Sequence, residues 1–237
     1  RTKILADMTA YVVPDGTQQA MDADTYPLSD MGNAELFISA AGYDLHYDAA
    51  RKVGYVYGVD HRNGCTVWVP DPDDILLKQA IDDYARKISE MEQALDERMC
   101  RSDEARGKVK ALRKILITRY GSFSGAASKR IIERIHTQTA DPSIVMDDVA
   151  RTGHLLNCPN GTLNLRTGQL RTPSKMDYIT QGCPTEYHPE AMTDAVSAWL
   201  DSICVTPEIK RLFLQVLGAA MDATMRTKTM PIFWGGK

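Results

Sequence analysis

DDILLKQAIDDYARKISEMEQALDERM, residues 73–99, is the longest periodic stretch of the chain. Its apolar residues recur at spacings of three and four and form one stripe: Leu77, Ile81, Tyr84, Ile88, Met91, Leu95 and Met99. This spacing predicts a long amphipathic helix whose apolar side is covered by a partner. Val109, Leu112 and Leu116 predict the partner helix, and Ala126–His136 predicts a third, with Ile131, Ile132 and Ile135 on one side.

The residues before this helix predict a small antiparallel sheet over 43–70. Apolar and polar residues alternate from Tyr43 to Tyr47, two further short β-type runs follow, and Asn63-Gly64 between them is a hairpin signal. Tyr55, Tyr57 and Trp68 are expected on the buried face of the sheet. A short helix over Ala34–Ala41, ended by Gly42, is predicted before it, and residues 1–33 are interpreted as an irregular lead-in.

The residues after Pro142 predict short strands and then helices. Residues 155–170 carry turn signals at Asn160-Gly161 and Thr167-Gly168, which predict a compact meander. A helix is predicted over Ala195–Ile203, and Thr206-Pro207-Glu208 is a strong helix start. The expected apolar face of that last helix is Leu212, Phe213, Val216, Leu217 and Ala220. The predicted fold class is therefore α+β, with small antiparallel sheets and a helical bundle.

Size and composition are those of a globular protein. The 237 residues are 43% hydrophobic and 25% charged, and no apolar run approaches the roughly 20 residues that span a bilayer. The chain begins with Arg1 rather than Met, so we expect a piece of a longer protein. The five cysteines form no CxxC pair, which favours reduced thiols over a zinc site or disulfides.

Charge is unevenly distributed around the long helix. Asp71–Glu104 contains eleven acidic and five basic residues, whereas residues 106–136 contain nine basic residues and one acidic residue. One interpretation is that the two segments lie against each other as solvated faces. The other is that the basic segment follows a nucleic-acid backbone, because each neutralised phosphate releases counterions.

Under the second interpretation, eight basic residues are candidate nucleic-acid ligands: Lys108, Lys110, Arg113, Lys114, Arg119, Lys129, Arg130 and Arg134. The hydroxyls of Ser122, Ser124 and Ser128 are suited to phosphate oxygens. Tyr120 and Phe123 either stack on bases of a single strand or belong to the core.

The C-terminal residues resemble the beginning of a phosphate-binding loop. Met230–Trp234 is a short apolar run, and Gly235-Gly236-Lys237 follows. Lys237 is not the lysine of the G-x-x-x-x-G-K pattern, because Pro231 stands where the first glycine is needed. Gly235 and Gly236 are therefore the candidate cofactor-binding residues, at the start of a loop that continues past the sequence.

Several ordered motifs resemble one family. They are 160–168 (NGTLNLRTG), 177–180 (DYIT), 187–191 (YHPEA), Trp199-Leu200, 213–215 (FLQ) with Gly218, and 232–237 (IFWGGK), preceded by 32–34 (GNA), 43–47 (YDLHY) and Trp68. Together they are similar to the region that precedes the ATPase core of phage and plasmid primase-helicases, which resembles the poxvirus primase-helicase. The turn from Asp60 to Cys65 is longer and more polar than the family usually shows.

The resemblance implies a superfamily 3 helicase after this segment. The parent chain would be a ring-forming translocase that uses ATP and Mg and acts on single-stranded DNA. It would work in the cytoplasm of a bacterial host and would have no membrane partner. The implied boundaries are 1–33 for the lead-in, 34–190 for a helicase-associated domain, 191–229 for a helical connector and 230–237 for the first ATPase residues. The phosphate-loop Lys, the Walker B acids and the arginine finger are missing, so no complete ATPase site is expected in these 237 residues.

Two other functions remain open from the sequence. The acidic and basic helices would meet across a subunit boundary in an oligomerisation module that does not contact DNA. An unrelated enzyme would use Cys158 with His154 and Asp147 or Asp148, which lie close together along the chain. His136 and His188 are interpreted as polar surface or loop residues.

Overall fold

The computed structural model describes residues 25–40, 44–95, 98, 100, 102–191 and 193–225. The chain divides into two compact units. We call Arg1–Val56 with Pro70–Pro142 the bundle unit, and Tyr57–Val69 with Ser143–Lys237 the meander unit. The predicted α+β class is confirmed, whereas the domain boundaries that follow the family resemblance stay predictions.

Four helices and three strands come first along the described chain. Their bounds are α1 Asp30–Ala40, β1 Leu45–Asp48, β2 Val53–Val59, β3 Thr66–Asp71, α2 Ile75–Ala94, α3 Asp103–Phe123 and α4 Ser128–Thr139. A 3-10 turn, Gly125–Ala127, joins α3 to α4. Helix α1 begins at Asp30, four residues before the predicted start, and the predicted cap at Gly42 lies outside the described residues.

Helix α2 confirms the predicted apolar stripe from Leu77 to Ile88 but is shorter than expected, and Met99, the last predicted residue of the stripe, lies outside the described residues. Leu77, Ile81, Tyr84 and Ile88 are all buried. The helix ends at Ala94 because Leu95 adopts an extended conformation, from which its side chain still reaches the core. At the other end the buried carboxylate of Asp71 accepts the N–H of Leu77 at 2.9 Å and satisfies a donor in the first turn.

The core of the bundle unit is aromatic at its centre. Phe37 meets the ring of Tyr84 edge-on at 5.5 Å, and Tyr84 meets Phe123 in the same way at 5.2 Å. Edge-to-face contacts are favourable because the positive ring edge faces the negative ring face. The predicted second and third stripes are confirmed, since Val109, Leu116, Ile131, Ile132 and Ile135 are buried and Leu112 packs against the same core.

The predicted first sheet is confirmed. Its strand order is β1-β2-β3, and Leu45–Asp48 pairs antiparallel with Val53–Val56. Gly64 has a φ of 74°, a left-handed conformation that glycine adopts without steric cost. Tyr55 and Trp68 are buried as predicted, and Tyr57 is half-buried.

The second part of the described chain is short strands followed by helices. The elements are α5 Val149–Thr152, β4 Leu155–Cys158, β5 Gly161–Asn164, β6 Leu170–Arg171, a 3-10 turn Lys175–Asp177, α6 Asp194–Ile203 and α7 Pro207–Met221. The predicted meander is confirmed as an antiparallel sheet of order β4-β5-β6. The predicted turns contain Gly161 and Gly168, both at positive φ.

Hydrogen bonds hold the tip of the first hairpin to the rest of the meander unit. The Trp68 indole N–H donates to the Lys175 carbonyl at 2.7 Å, and the Trp68 ring stacks on Tyr178 at 5.8 Å. The buried amide of Asn157 donates to the Thr66 carbonyl at 3.3 Å and accepts from the Thr162 hydroxyl. These polar groups are satisfied although they are buried, as stability requires.

The last two helices begin as predicted but bury less apolar surface than expected. The Thr206 hydroxyl accepts the N–H of Ile209 at 3.4 Å, and Pro207 occupies the first turn. Phe213 and Val216 are half-buried, whereas Leu212 and Leu217 are exposed, so the predicted apolar face of α7 is only partly covered. Among the described helices, none is long and apolar enough to cross a membrane.

Candidate nucleic-acid interface

The eight predicted nucleic-acid ligands lie on two helices of the bundle unit. Lys108, Lys110, Arg113, Lys114 and Arg119 lie on α3, and Lys129, Arg130 and Arg134 lie on α4. Helix α3 turns Val109, Leu116 and Phe123 into the core. Lys110 and Lys114 are exposed and four residues apart, which places them one above the other on the outer side of the helix.

Three of the eight basic residues form ion pairs within the chain. Arg113 donates to the Glu92 carboxylate on α2 from Nε at 2.9 Å and from Nη2 at 2.6 Å. Lys108 lies 3.1 Å from Glu104, and Arg130 lies 2.9 Å from Asp30. The Arg113–Glu92 pair joins the basic segment to the acidic segment, as the interpretation of two adjacent faces predicted.

Four basic residues form what we call the open basic set: Lys110, Lys114, Lys129 and Arg134. All four are exposed, and within the described chain no carboxylate lies within 4.0 Å of their charged nitrogens. Their charge is therefore available to an anionic partner.

The N-terminus of α4 adds positive potential beside Lys129. Helix α3 begins with Asp103 and Glu104, and the Ser102 hydroxyl caps it by accepting the Ala105 N–H at 3.1 Å. Helix α4 begins with neither an acidic residue nor a capping side chain. A helix N-terminus carries a partial positive charge, and basic residues in the first turn add to it. The positive potential there would favour the binding of an anion.

Arg119 does not belong to the basic surface, contrary to the prediction. Its exposed fraction is 0%, and its guanidinium donates to the Asn33 side-chain oxygen and to the Tyr26 carbonyl. A phosphate cannot reach a group enclosed in this way. Arg119 instead stabilises the bundle unit by connecting α3 to Asn33 in α1 and to Tyr26 before α1.

The two predicted stacking residues differ. Phe123 is fully buried in the aromatic centre of the core, so the core alternative is correct for it. Tyr120 is 42% exposed, and Ile117, one turn before it, is 57% exposed. The sequence prediction missed Ile117, although its position three residues after Lys114 already placed an apolar side chain on the basic side of α3.

The predicted serine contacts are not favoured, because two of the hydroxyl groups donate elsewhere. Ser122 donates to the Thr118 carbonyl at 3.2 Å, and Ser128 donates to the Gly125 carbonyl at 2.8 Å. Ser124 is the C-terminal cap residue of α3.

A comparison with protein families identifies the kind of domain to which these helices belong. The family model described as "D5 N terminal like" matches residues 34–217, which is most of the 237-residue chain. The chain belongs to the D5 N-terminal-like family. This membership supports an association with D5-like replication primase-helicases of phages and viruses. A search of curated proteins found no significant match.

Within this D5 N-terminal-like domain, one of the two histidines interpreted as polar surface residues proves structural. His136 is half-buried, lies 3.0 Å from the Asp74 carboxylate and stacks on the ring of Tyr47 at 4.1 Å. It joins the last turn of α4 to the residue before α2, so the surface interpretation is wrong for it. His188 is an exposed loop residue as predicted, 3.1 Å from Glu186.

The residues proposed for an unrelated enzyme do not assemble a nucleophilic site. Burial raises the pKa of the Cys158 thiol, which disfavours the reactive thiolate. Asp147 accepts the Thr180 N–H at 2.7 Å, and Asp148 caps α5 through the Ala150 N–H at 3.1 Å. Both carboxylates therefore fix loops rather than orient His154.

The two residues predicted to bind a cofactor are not among the described residues. Gly235 and Gly236, the predicted phosphate-loop glycines, lie outside them. Across the described ranges, no group of three His, Cys, Asp or Glu side chains could hold a metal ion. The five cysteines are free thiols, and burial raises the pKa of Cys65 to about 11.

Proposed function

We propose that this chain is the helicase-associated part of a phage or plasmid replication primase-helicase, and that the open basic set contacts DNA phosphates beside an ATP-driven superfamily 3 motor. Family membership supports the replication context. The observation that carries the DNA contact is the exposure of Lys110, Lys114, Lys129 and Arg134 without a carboxylate partner in the described chain.

The chemistry of the set favours contacts that do not depend on base sequence. Lysine presents a compact charge on a flexible stem, which suits phosphate oxygens that shift position along a moving strand. Each phosphate that a basic residue neutralises lowers the slope of log K against log salt by roughly 0.7 on single strands and 0.9 on duplex DNA. Affinity is therefore expected to fall steeply with salt and to vary little with base sequence.

The motor itself is proposed for the parent protein. ATP and Mg would bind there, in a ring of subunits in the cytoplasm of a bacterial host. The printed sequence has Pro231 where a phosphate loop needs glycine and no G-x-x-x-x-G-K motif. The given residues therefore supply no complete phosphate loop.

A salt titration of DNA binding tests the proposal. Fluorescence anisotropy with a labelled 20-nucleotide oligo(dT) would compare the chain with a variant carrying Lys110→Glu, Lys114→Glu, Lys129→Glu and Arg134→Glu. The expected result is a loss of binding of at least tenfold and a shallower salt slope. Lys87→Glu is the control, because Lys87 is an exposed lysine of α2 that does not belong to the set.

Unchanged affinity and salt slope in the fourfold variant would contradict the DNA contact. An equal loss with Lys87→Glu would also contradict it, since the effect would then follow net charge alone.

Self-association is a second candidate function, favoured by the exposed apolar side chains of the terminal helices. Trp199 on α6 is 56% exposed and Leu212 on α7 is 59% exposed. Under this second candidate function, the chain organises the ring of the parent protein and does not contact DNA. Sedimentation velocity should show an oligomer that Trp199→Asp with Leu212→Asp dissociates; a monomer at all concentrations would remove this candidate.

A further inference from the structure

We propose that Tyr120 and Ile117 extend the open basic set into a stacking surface, so that this side of α3 binds single-stranded DNA in preference to duplex DNA. The inference rests on the proposed function and adds the form of DNA that the site selects. It concerns the side chains of one helix: Lys110, Lys114, Ile117 and Tyr120.

The four side chains follow one another along α3. Their spacings of four, three and three residues keep them on the outer side, about one helical turn apart. The apolar pair therefore continues the line of the two lysines for two further turns. A strand whose phosphates contact Lys110 and Lys114 can place its next bases over Ile117 and Tyr120.

The exposure of Tyr120 is unusual for the aromatic residues of this bundle. Phe37, Tyr84 and Phe123 are buried against one another. Within the described residues, the Tyr120 ring makes no aromatic contact and its hydroxyl no hydrogen bond. The folded unit thus leaves this ring available beside unpaired positive charge.

The position that follows Tyr120 carries no side chain. This residue, Gly121, is on the exposed side of α3, and a Cβ added there would meet no atom within 4 Å. No side chain at that position limits the approach of a base to the edge of the tyrosine ring.

Stacking distinguishes the two forms of DNA, whereas lysine does not. Both forms present phosphates to Lys110 and Lys114. Only a single strand offers unpaired base faces, and a stacked aromatic contributes on the order of 1–3 kcal/mol per base in such complexes. In a duplex the bases are already stacked on one another, so Tyr120 gains no partner.

The test uses three 20-unit probes: oligo(dT), an abasic oligonucleotide with the same phosphates, and duplex DNA. Tyr120→Ala should weaken binding to oligo(dT) roughly tenfold and leave binding to the abasic and duplex probes within about twofold. Tyr120→Phe should retain the wild-type preference, because the ring is kept. Ile117→Ala should lower the preference for oligo(dT) less, because an aliphatic side chain offers a smaller contact.

The outcomes separate this inference from the proposed function. If Lys110→Glu with Lys114→Glu weakens binding to all three probes while Tyr120→Ala changes none of them, the stacking surface is wrong and the phosphate contact stands. An equal effect of Tyr120→Ala on the three probes overturns the inference in the same way. If the charge reversals also change nothing, the proposed function fails. A change in oligomeric state with Tyr120→Ala and no change in the oligo(dT) preference would assign the ring to a protein contact instead.

Discussion

The bundle unit and the meander unit are stabilised in different ways. The bundle unit buries a continuous set of aliphatic and aromatic side chains from α1 to α4 around Phe37, Tyr84 and Phe123. The meander unit has short strands, and its hairpin tip is held by hydrogen bonds of Trp68 and Asn157. Non-directional burial tolerates small shifts, whereas directional bonds and close contacts require particular atoms at particular places.

The difference also separates the residues suited to function from those that maintain the fold. In the bundle unit the core is complete enough that α3 can present Ile117 and Tyr120 to solvent. In the meander unit the polar residues Asp147, Asn157 and Asp148 are used within the fold. Substitutions in each unit test this comparison.

The largest effect on stability is expected at Arg119, a charged residue buried in the otherwise apolar bundle unit. Arg119→Met keeps much of the side-chain volume but leaves the Asn33 side-chain oxygen and the Tyr26 carbonyl without their donor. The free energy of unfolding, measured by urea denaturation, should fall by about 3 kcal/mol. Lys114→Met is the control and should change it by less than about 0.5 kcal/mol, because Lys114 is exposed. Equal stability of the two variants would show that Arg119 is not needed by the fold.

The second-largest effect tests how tightly the residues of the meander unit pack against one another. A Cβ added at Gly182 would lie 2.6 Å from the Cys65 sulfur, so Gly182→Ala should lower the free energy of unfolding by about 2 kcal/mol. Removing the sulfur with Cys65→Ala in the same chain should recover part of that loss. A double-mutant cycle measures the coupling, and additive effects of the two changes would argue against a tight contact there.

A smaller effect of opposite sign is expected on the exposed side of α3. Gly107 lies inside the helix, and an added Cβ would meet nothing within 4 Å. Gly107→Ala should therefore raise the free energy of unfolding by up to about 1 kcal/mol, because alanine loses less conformational entropy in a helix. Gly125→Ala should lower it, since Gly125 has a φ of 60°. Thermal denaturation of both variants gives the two signs, and the same sign for both would contradict the argument.

The smallest effect concerns acid stability of the hairpin turn in the meander unit. Hydrogen bonds from the Arg62 guanidinium lower the pKa of Asp60 below its ordinary value of 3.8. A lowered folded-state pKa stabilises the fold above pH 3.8, and this stabilisation is lost as pH falls through the folded value. Asp60→Asn should therefore flatten the fall in stability below about pH 4, measured by urea denaturation at several pH values. An unchanged acid slope would contradict the role of Asp60.

The elements of the bundle unit could be predicted from the sequence because helical periodicity reports burial directly. The same periodicity also indicated the burial of Arg119. Arg119 lies on the core-facing side of α3, in line with Leu112, Leu116 and Phe123. Its charge suggested the surface, but the spacing was the better guide. The early end of α2 carried no comparable signal, because Leu95 remains buried after the helix has ended.

The candidate site was predicted in part. Residue type and position identified Lys110, Lys114, Lys129 and Arg134 among eight candidate ligands, and the structure added that these four are exposed. Residue type and position did not show that Arg113 and Arg130 pair with Glu92 and Asp30, because those partners are distant in sequence. In the meander unit the contact of Asn157 with Thr66 joins residues 91 positions apart, and no local pattern encodes it.

The guanidinium of Arg119 has a practical consequence for anyone who shortens this protein. The family match begins at residue 34, whereas the two oxygens that receive this guanidinium belong to Tyr26 and Asn33. A clone cut at the edge of the match would retain the buried cation and discard both of its acceptors. The folding boundary therefore lies upstream of the boundary by which relatives are recognised, and a fragment intended for crystallisation should begin before Tyr26.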